Sequence, residues 1–515
     1  MGPVFFLRTL YLQFKFHFRN DHFYVGAGNI VSIPNTIRGL PVTVIGKDAF
    51  YSGFVAPALS SVIIPDSVIT IGTNAFGSCT NLASVSMGTN VSVISDNAFY
   101  NCAKLPAITI PKSVAFIGAN VLSLCTKLTA ITVDPLNPVY GSVDGILFNK
   151  LETTLLQCPQ ARAGGFTVPS GTTGISDGAF QFCGGLTGIV MPDSVVNIGN
   201  FTFQNCTNLA SVVLGANLKS IGNSTFINCP SLSNITIPFG LLTIGDSAFE
   251  FCGSLTNFVM PDTVTNTGNL TLAYCTNLVR ATISTNVTAI GNQLFWWDSN
   301  LRQVTIPNGV ITIGNGAFGN GVGITSLIIP DSVMSIGSYA FNACPLISLT
   351  IGNSVTNIGS WAFFGCINLS TSVTIPKSVI NIDQSGFSND WRVPAFFFEG
   401  NAPTVGPDSF WNTHSAIGYY LPNTSGWSNM LDALPTVLWN PVAQTSDSNF
   451  GVENNKFGFN VTGTTNIPIM IEVCTNLANA NWKPFQSCLL TNGSIYISDA
   501  QYLDLPNRYY RIRSP

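Results

Sequence analysis

Residues 82–102 read LASVSMGTNVSVISDNAFYNC, and residues 105–125 read LPAITIPKSVAFIGANVLSLC. The two stretches share one pattern 23 residues apart, and both are almost free of charge. Cysteines 79, 102 and 125 keep that spacing, as do cysteines 183, 206, 229, 252 and 275. Asp298 and Gly321 take the next two slots, Cys344 resumes the phase, and Cys366 follows one residue early. Three residues before each slot stands a large apolar residue, such as Phe76, Phe99, Leu122, Phe180 or Phe249, and looser copies at Phe50, Phe387 and Phe410 bring the count to 15 units. A fixed period of this length marks a stack of small units, none of which can close a core by itself.

Each unit divides into three parts. Segments such as LTAITV (128–133) and LRQVTIP (301–307) alternate apolar and small polar residues, the period of a half-buried strand. Proline then ends the strand, because it lacks the N–H that a ladder needs. Next comes a DSV..IG motif, whose glycines (Gly72, Gly118, Gly199, Gly245, Gly314, Gly337) are expected at a tight bend with positive φ. The AF..C end is expected as a short helical or 3₁₀ turn that points Phe and Cys inward. The fold class that follows is a repeat solenoid, β-rich with short helical or 3₁₀ turns, with a small C-terminal all-β domain.

The motif L..V.IP.SV..IG..AF..C, repeated at 23 residues, resembles the BspA-like leucine-rich repeat family over about residues 30 to 420. That resemblance implies a bacterial protein of the cell surface or the extracellular space, in a family with several adhesive members; the residues themselves lead to the expectation of no catalysis and no cofactor. Residues 134–166 interrupt the phase, and NPVYGSVDGILFNKLETTLLQCP (137–159) reads as an inserted hairpin.

The domain reading has an N-terminal segment at 1–29, with a start that lies outside this chain or a protein that stays inside. The solenoid covers 30–440, with a cap near 395–440, and a linker follows at 441–450. Residues 451–515 read as a small β-domain of five short strands, similar to modules appended to bacterial surface proteins. Cys474 and Cys488 fall in adjacent strands there, and a disulfide between them is left open.

Composition narrows function. The 515 residues are 46% hydrophobic and 9% charged, with a net charge of −4, so the chain lacks the basic footprint that nucleic acid requires. No apolar stretch is long enough for a membrane span. The in-phase cysteines read as small apolar core residues, and no metal-ligand spacing occurs. Asp66, Asp193, Asp262 and Asp331 recur after the strand proline, where a turn role through backbone hydrogen bonds fits better than acid–base chemistry. No Ser/His/Asp, Cys/His or phosphate-cradling motif stands in context among the three histidines His17, His22 and His414.

Two surfaces are left for function. Solvent-facing strand positions are small and neutral: Ser84, Ser86, Thr109, Thr132, Asn234, Thr236, Asn257, Thr282, Gln303 and Thr305. Phe251, Tyr274 and Trp297 each precede the repeat slot by one residue, with Trp296 beside them. These four are the candidate ligand-binding residues, for a protein or polysaccharide ligand, and an aromatic ladder packed on itself is the competing reading. The functional expectation is a non-catalytic surface protein for binding or adhesion. The alternatives are a purely structural surface array and, more distantly, an enzyme with Asp144 or Glu152 in the insertion.

Overall fold

A computed structural model describes residues 29–37, 39–51, 59–501 and 507–513. The expected N-terminal segment up to residue 28, with His17 and His22, lies outside them. The chain forms two compact units, Met1–Val287 and Thr288–Pro515.

In the first unit, successive coils contribute one three- to five-residue strand and one two-residue strand each. Gly164–Thr167, Leu186–Val190, Ser211–Val213 and Asn234–Thr236 pair in parallel, as do the short strands Val44–Ile45, Thr70–Ile71, Val93–Ile94 and Phe116–Ile117. The apolar member of each strand points inward, so Val212 is buried while its neighbours Ser211 and Val213 are exposed. Inside, the phenylalanines stack: Phe180 to Phe203 at 4.9 Å, Phe203 to Phe226 at 5.1 Å and Phe226 to Phe249 at 5.2 Å between ring centroids.

The AF..C segment is not the helical or 3₁₀ turn expected, and no helix occurs among the described residues. Its N–H groups alternate between two uses. Ala75, Gly77 and Cys79 donate to carbonyls three residues back, whereas Asn74, Phe76 and Ser78 donate to Asp96, Ala98 and Tyr100 in the next coil. A helix would spend every N–H locally, and here half of them bond coil to coil. The geometry requires positive φ five residues and one residue before the slot, as at Asn74 (52°) and Ser78 (58°).

The IG glycines also depart from expectation, since none of the six has positive φ. Close approach explains them instead. A Cβ on Gly199 would lie 2.5 Å from the Asp177 backbone nitrogen, and one on Gly245 would lie 2.6 Å from that of Asn223.

The insertion forms Tyr140–Val143 and Ile146–Asn149, an antiparallel hairpin that passes through Thr154–Gln157 back into the parallel ladder. Asp144 and Gly145, with φ of 55° and 75°, make its two-residue turn. Asn137 anchors the base: its buried amide donates to the Pro111 and Val114 carbonyls and its oxygen accepts from the Val139 and Tyr140 N–H groups.

The second unit repeats the coil, with Phe318 stacked on Phe341 at 5.2 Å and Phe341 on Phe363 at 5.4 Å. Toward its end the strands Val373–Ile375, Ala395–Phe398, Ile417–Tyr420 and Leu434–Leu438 pair in parallel. Ala395–Phe398 is buried on both faces. The reason is a second layer, in which Phe459, Val461, Ile469 and Ile471 share one apolar cluster with Ala395, Phe397 and Tyr419. The five strands predicted past residue 451 are present as Lys456–Thr462, Pro468–Cys474, Lys483–Leu489, Ser494–Asp499 and Tyr509–Arg513. Within the stretch expected as a linker, Val442–Gln444 pairs with Lys456–Thr462. Cys488 sits opposite Ile469 rather than near Cys474, and both cysteines are free.

Candidate functional site

The four aromatic candidates sit on the turn that carries the Phe and Cys slots, in the position one or two residues before the slot. In the first unit, Phe251 and Tyr274 stack with centroids 4.5 Å apart and planes 15° from parallel. Both have φ of 61°, and Phe251 stays 42% exposed. Asn101, Asn205 and Asn228 hold the same left-handed position in other coils, where Asn tolerates it far better than a bulky side chain does.

In the second unit, Trp297 has φ of 65° and is 48% exposed. Trp296 is half-buried, its indole lying over Gly316 and Gly319 of the next coil. A Cβ on either glycine would come within 2.7 or 2.6 Å of the ring. Three further aromatics on this turn were missed in the sequence: Phe364 shares the column of Trp296, two residues before the slot, while Tyr339 and Trp361 stand in a separate column. Tyr339 and Trp361 stack at 6.0 Å and 8°, and Phe364 leans on Trp361 at 4.6 Å. Tyr339 and Trp361 occupy the left-handed position five residues before the slot, at 58° and 61°. The signal that could have found them is a large aromatic in a column that Asn, Ser, Asp and Gly fill in most coils, with Phe201, Leu270 and Gln293 as the other exceptions.

With the coil geometry established, comparison places the repeats. The family described as BspA type Leucine rich repeat region matches residues 43–142, 173–302 and 288–417, in six copies. The chain belongs to this family. A leucine-rich repeat protein from Bacteroides ovatus is similar in fold, at 22% identity over 76% of this chain and 99% of its own, with a TM-score of 0.51. Two others are similar at 23% identity. A leucine rich cell surface protein from Faecalibacterium prausnitzii covers 76% of this chain and 95% of its own, with a TM-score of 0.41. The pneumococcal vaccine antigen PcpA covers 59% and 67%, with a TM-score of 0.39. No curated protein matches the chain.

Other polar groups of this BspA-type chain serve the coil itself. The thiols of Cys206, Cys229 and Cys252 donate to the Phe carbonyl of the preceding coil at 3.1 to 3.2 Å. Burial pushes the Cys229 thiol up to about 12, so it stays protonated and unreactive. The recurring aspartates bracket coils: Asp66 accepts from the Thr89 N–H at 2.7 Å and Asp262 from the Thr285 N–H at 3.0 Å. These backbone bonds, with help from the threonine hydroxyls, hold both carboxyls below their ordinary value. A second bracket escaped the sequence reading. Asp177, Asn200, Asn223 and Asp246 each accept the N–H of the residue one coil on, at 2.7 to 2.9 Å.

The strand-face residues from Ser84 to Thr305 are exposed as expected, and the Thr109 and Thr132 hydroxyls stand 2.9 Å apart. In the insertion, Asp144 pairs with Arg162 at 2.7 Å and Glu152 sits in a turn with φ of 58°. Among the described residues no group of three or more His, Cys, Asp and Glu is placed to hold a metal, and no helix is long and apolar enough to cross a membrane.

Proposed function

We propose that this chain is a non-catalytic protein of the bacterial surface or extracellular space that attaches a protein or polysaccharide ligand through turn-face aromatics. The observation that carries this reading is the set of half-exposed rings at left-handed backbone positions. Each such position costs a bulky residue on the order of 1–2 kcal/mol relative to ordinary φ. Burial does not explain them, because the rings stay in contact with solvent. Membership of the BspA-type family supports the surface location, and the neutral composition favours contact through rings over charge. A ligand must span several coils, since a single coil is too thin to form a pocket.

The test is the pair Tyr274→Ser and Trp297→Ser in the full chain, assayed for binding to panels of immobilised proteins and polysaccharides. Attachment should weaken by at least about 2 kcal/mol with the fold intact. A lower melting temperature with unchanged attachment would instead identify the rings as a self-packed ladder. Structural-array function, with no specific ligand, predicts no binder in either panel.

A further inference from the structure

Resting on that reading, we propose that the turn face of the second unit is a platform for a neutral polysaccharide, centred on Trp297, Tyr339 and Trp361. Three observations meet there. The rings follow the coils: Trp296 lies over Gly316 and Gly319, Tyr339 belongs to the next coil, and Trp361 stacks on it from the coil beyond. The centroid steps of the core beneath, 5.2 and 5.4 Å, set a rise per coil comparable to one sugar ring in an extended chain.

The second observation is access. Tyr339 remains 43% exposed and Trp297 48%, although both hold positive φ. Asn320, Asn389 and Ser385 fill the same columns in neighbouring coils, so the coil itself does not call for a ring there.

The third is chemistry. Residues 292–297, 315–320, 338–343, 360–365 and 384–389, which form this face in five coils, include no Asp, Glu, Lys or Arg. They present ring faces together with the amides and hydroxyls of Asn320, Asn342, Ser360 and Gln384. Aromatic faces meet the C–H faces of sugars, while amides and hydroxyls exchange hydrogen bonds with sugar hydroxyls. A phosphate-rich or acidic polymer would require cations that this face lacks. A protein partner is less well matched, because hot spots cluster at the water-excluded centre of an interface rather than along a file.

The experiment is affinity electrophoresis of the full chain in gels containing mannan, dextran, xyloglucan, polygalacturonate or heparin, with an immobilised protein panel in parallel. At least one neutral polysaccharide should retard the chain, and added salt should not abolish the effect. Tyr339→Ser with Trp361→Ser should weaken that retardation at least about tenfold, on the scale of losing stacked rings. Tyr339→Phe with Trp361→Phe should keep most of it, and Trp391→Ser, an exposed tryptophan outside these columns, should change nothing. Circular-dichroism melting checks that every variant is folded. Retardation by the charged polymers alone, or neutral binding untouched by the serine pair, overturns the proposal. Binding to proteins but to no polysaccharide overturns it while leaving the broader binding reading in place, and binding to neither panel sinks both.

Discussion

The Cys252 thiol donates to the Phe226 carbonyl of the preceding coil, 3.2 Å away, and the Cys229 thiol does the same to Phe203 at 3.1 Å. A cysteine in this slot is therefore both a small apolar filler and a weak donor to a Phe carbonyl that also accepts a backbone N–H, as the Phe203 carbonyl does from Cys206. The Phe three residues earlier carries the larger apolar area. Phe249→Ala should cost about 3–5 kcal/mol, and Cys252→Ala less. Urea denaturation of both variants gives the comparison. A reductant that melts the wild-type repeats would overturn the free-thiol account.

Asp390 tests what the slot demands. It is fully buried in a cysteine slot, accepts the Cys366 N–H at 2.8 Å, and burial raises its carboxyl well above the ordinary 3.8. A raised folded-state value means the stabilising form is the neutral acid. Its contribution is complete below pH 3.8 and is lost as pH rises toward the folded-state value. Asp390→Asn should raise the melting temperature at pH 7 and bring little gain near pH 3. An equal shift at both pH values would count against a neutral Asp390.

Asp66 and Asp262 run the opposite way, because their folded-state values are lowered by the bonds from Thr89 and Thr285. Their support is present above the ordinary carboxylate value and fades as pH falls through the folded one. Asp262→Ala should thus destabilise at pH 7 and make no difference in strong acid. Thermal melts across that range provide the check.

Gly245→Ala tests the close approach of coils. Its Cβ would fall 2.6 Å from the Asn223 backbone nitrogen, an atom fixed by its bond to the Asn200 side-chain oxygen. Overpacking of this kind costs roughly 1–3 kcal/mol. If φ alone had selected glycine, alanine would be tolerated there, since φ at this residue is not positive.

Phe251→Asn separates strain from packing. It removes a ring stack worth about 0.5–1.5 kcal/mol and relieves a left-handed bulky residue by a similar amount. The unfolding midpoint should hardly move while ligand attachment falls. A large loss of stability would assign the ring to the fold.

The domain boundary expected at 451 remains a proposal, and proteolysis tests it. Val442–Gln444 pairs with Lys456–Thr462, the Trp439 indole donates to the Pro468 carbonyl at 2.8 Å, and the apolar cluster spans both sides. A cut within 445–450 should therefore leave the two fragments associated on a sizing column. Release of a free, folded 451–515 piece would restore the boundary read from composition.

The coil order, the inward Phe and Cys columns and the strand faces were legible in the sequence, because a 23-residue period forces equivalent residues to stack on each other. The inserted hairpin was legible too, through the break in repeat phase at 134–166. Tertiary structure alone decided the rest. Whether the N–H of Phe76 closes its own turn or reaches Ala98 depends on how near the next coil lies, and local propensity cannot express that distance. The same proximity, rather than φ, set Gly199 and Gly245. The strand AFFF at 395–398 read as a cap, but its outward Phe397 is covered by Phe459 and Val461 from a later layer. Tyr339 and Trp361 come together in one file at left-handed positions only through the fold. A site built from residues one coil apart exists only once the coils are stacked.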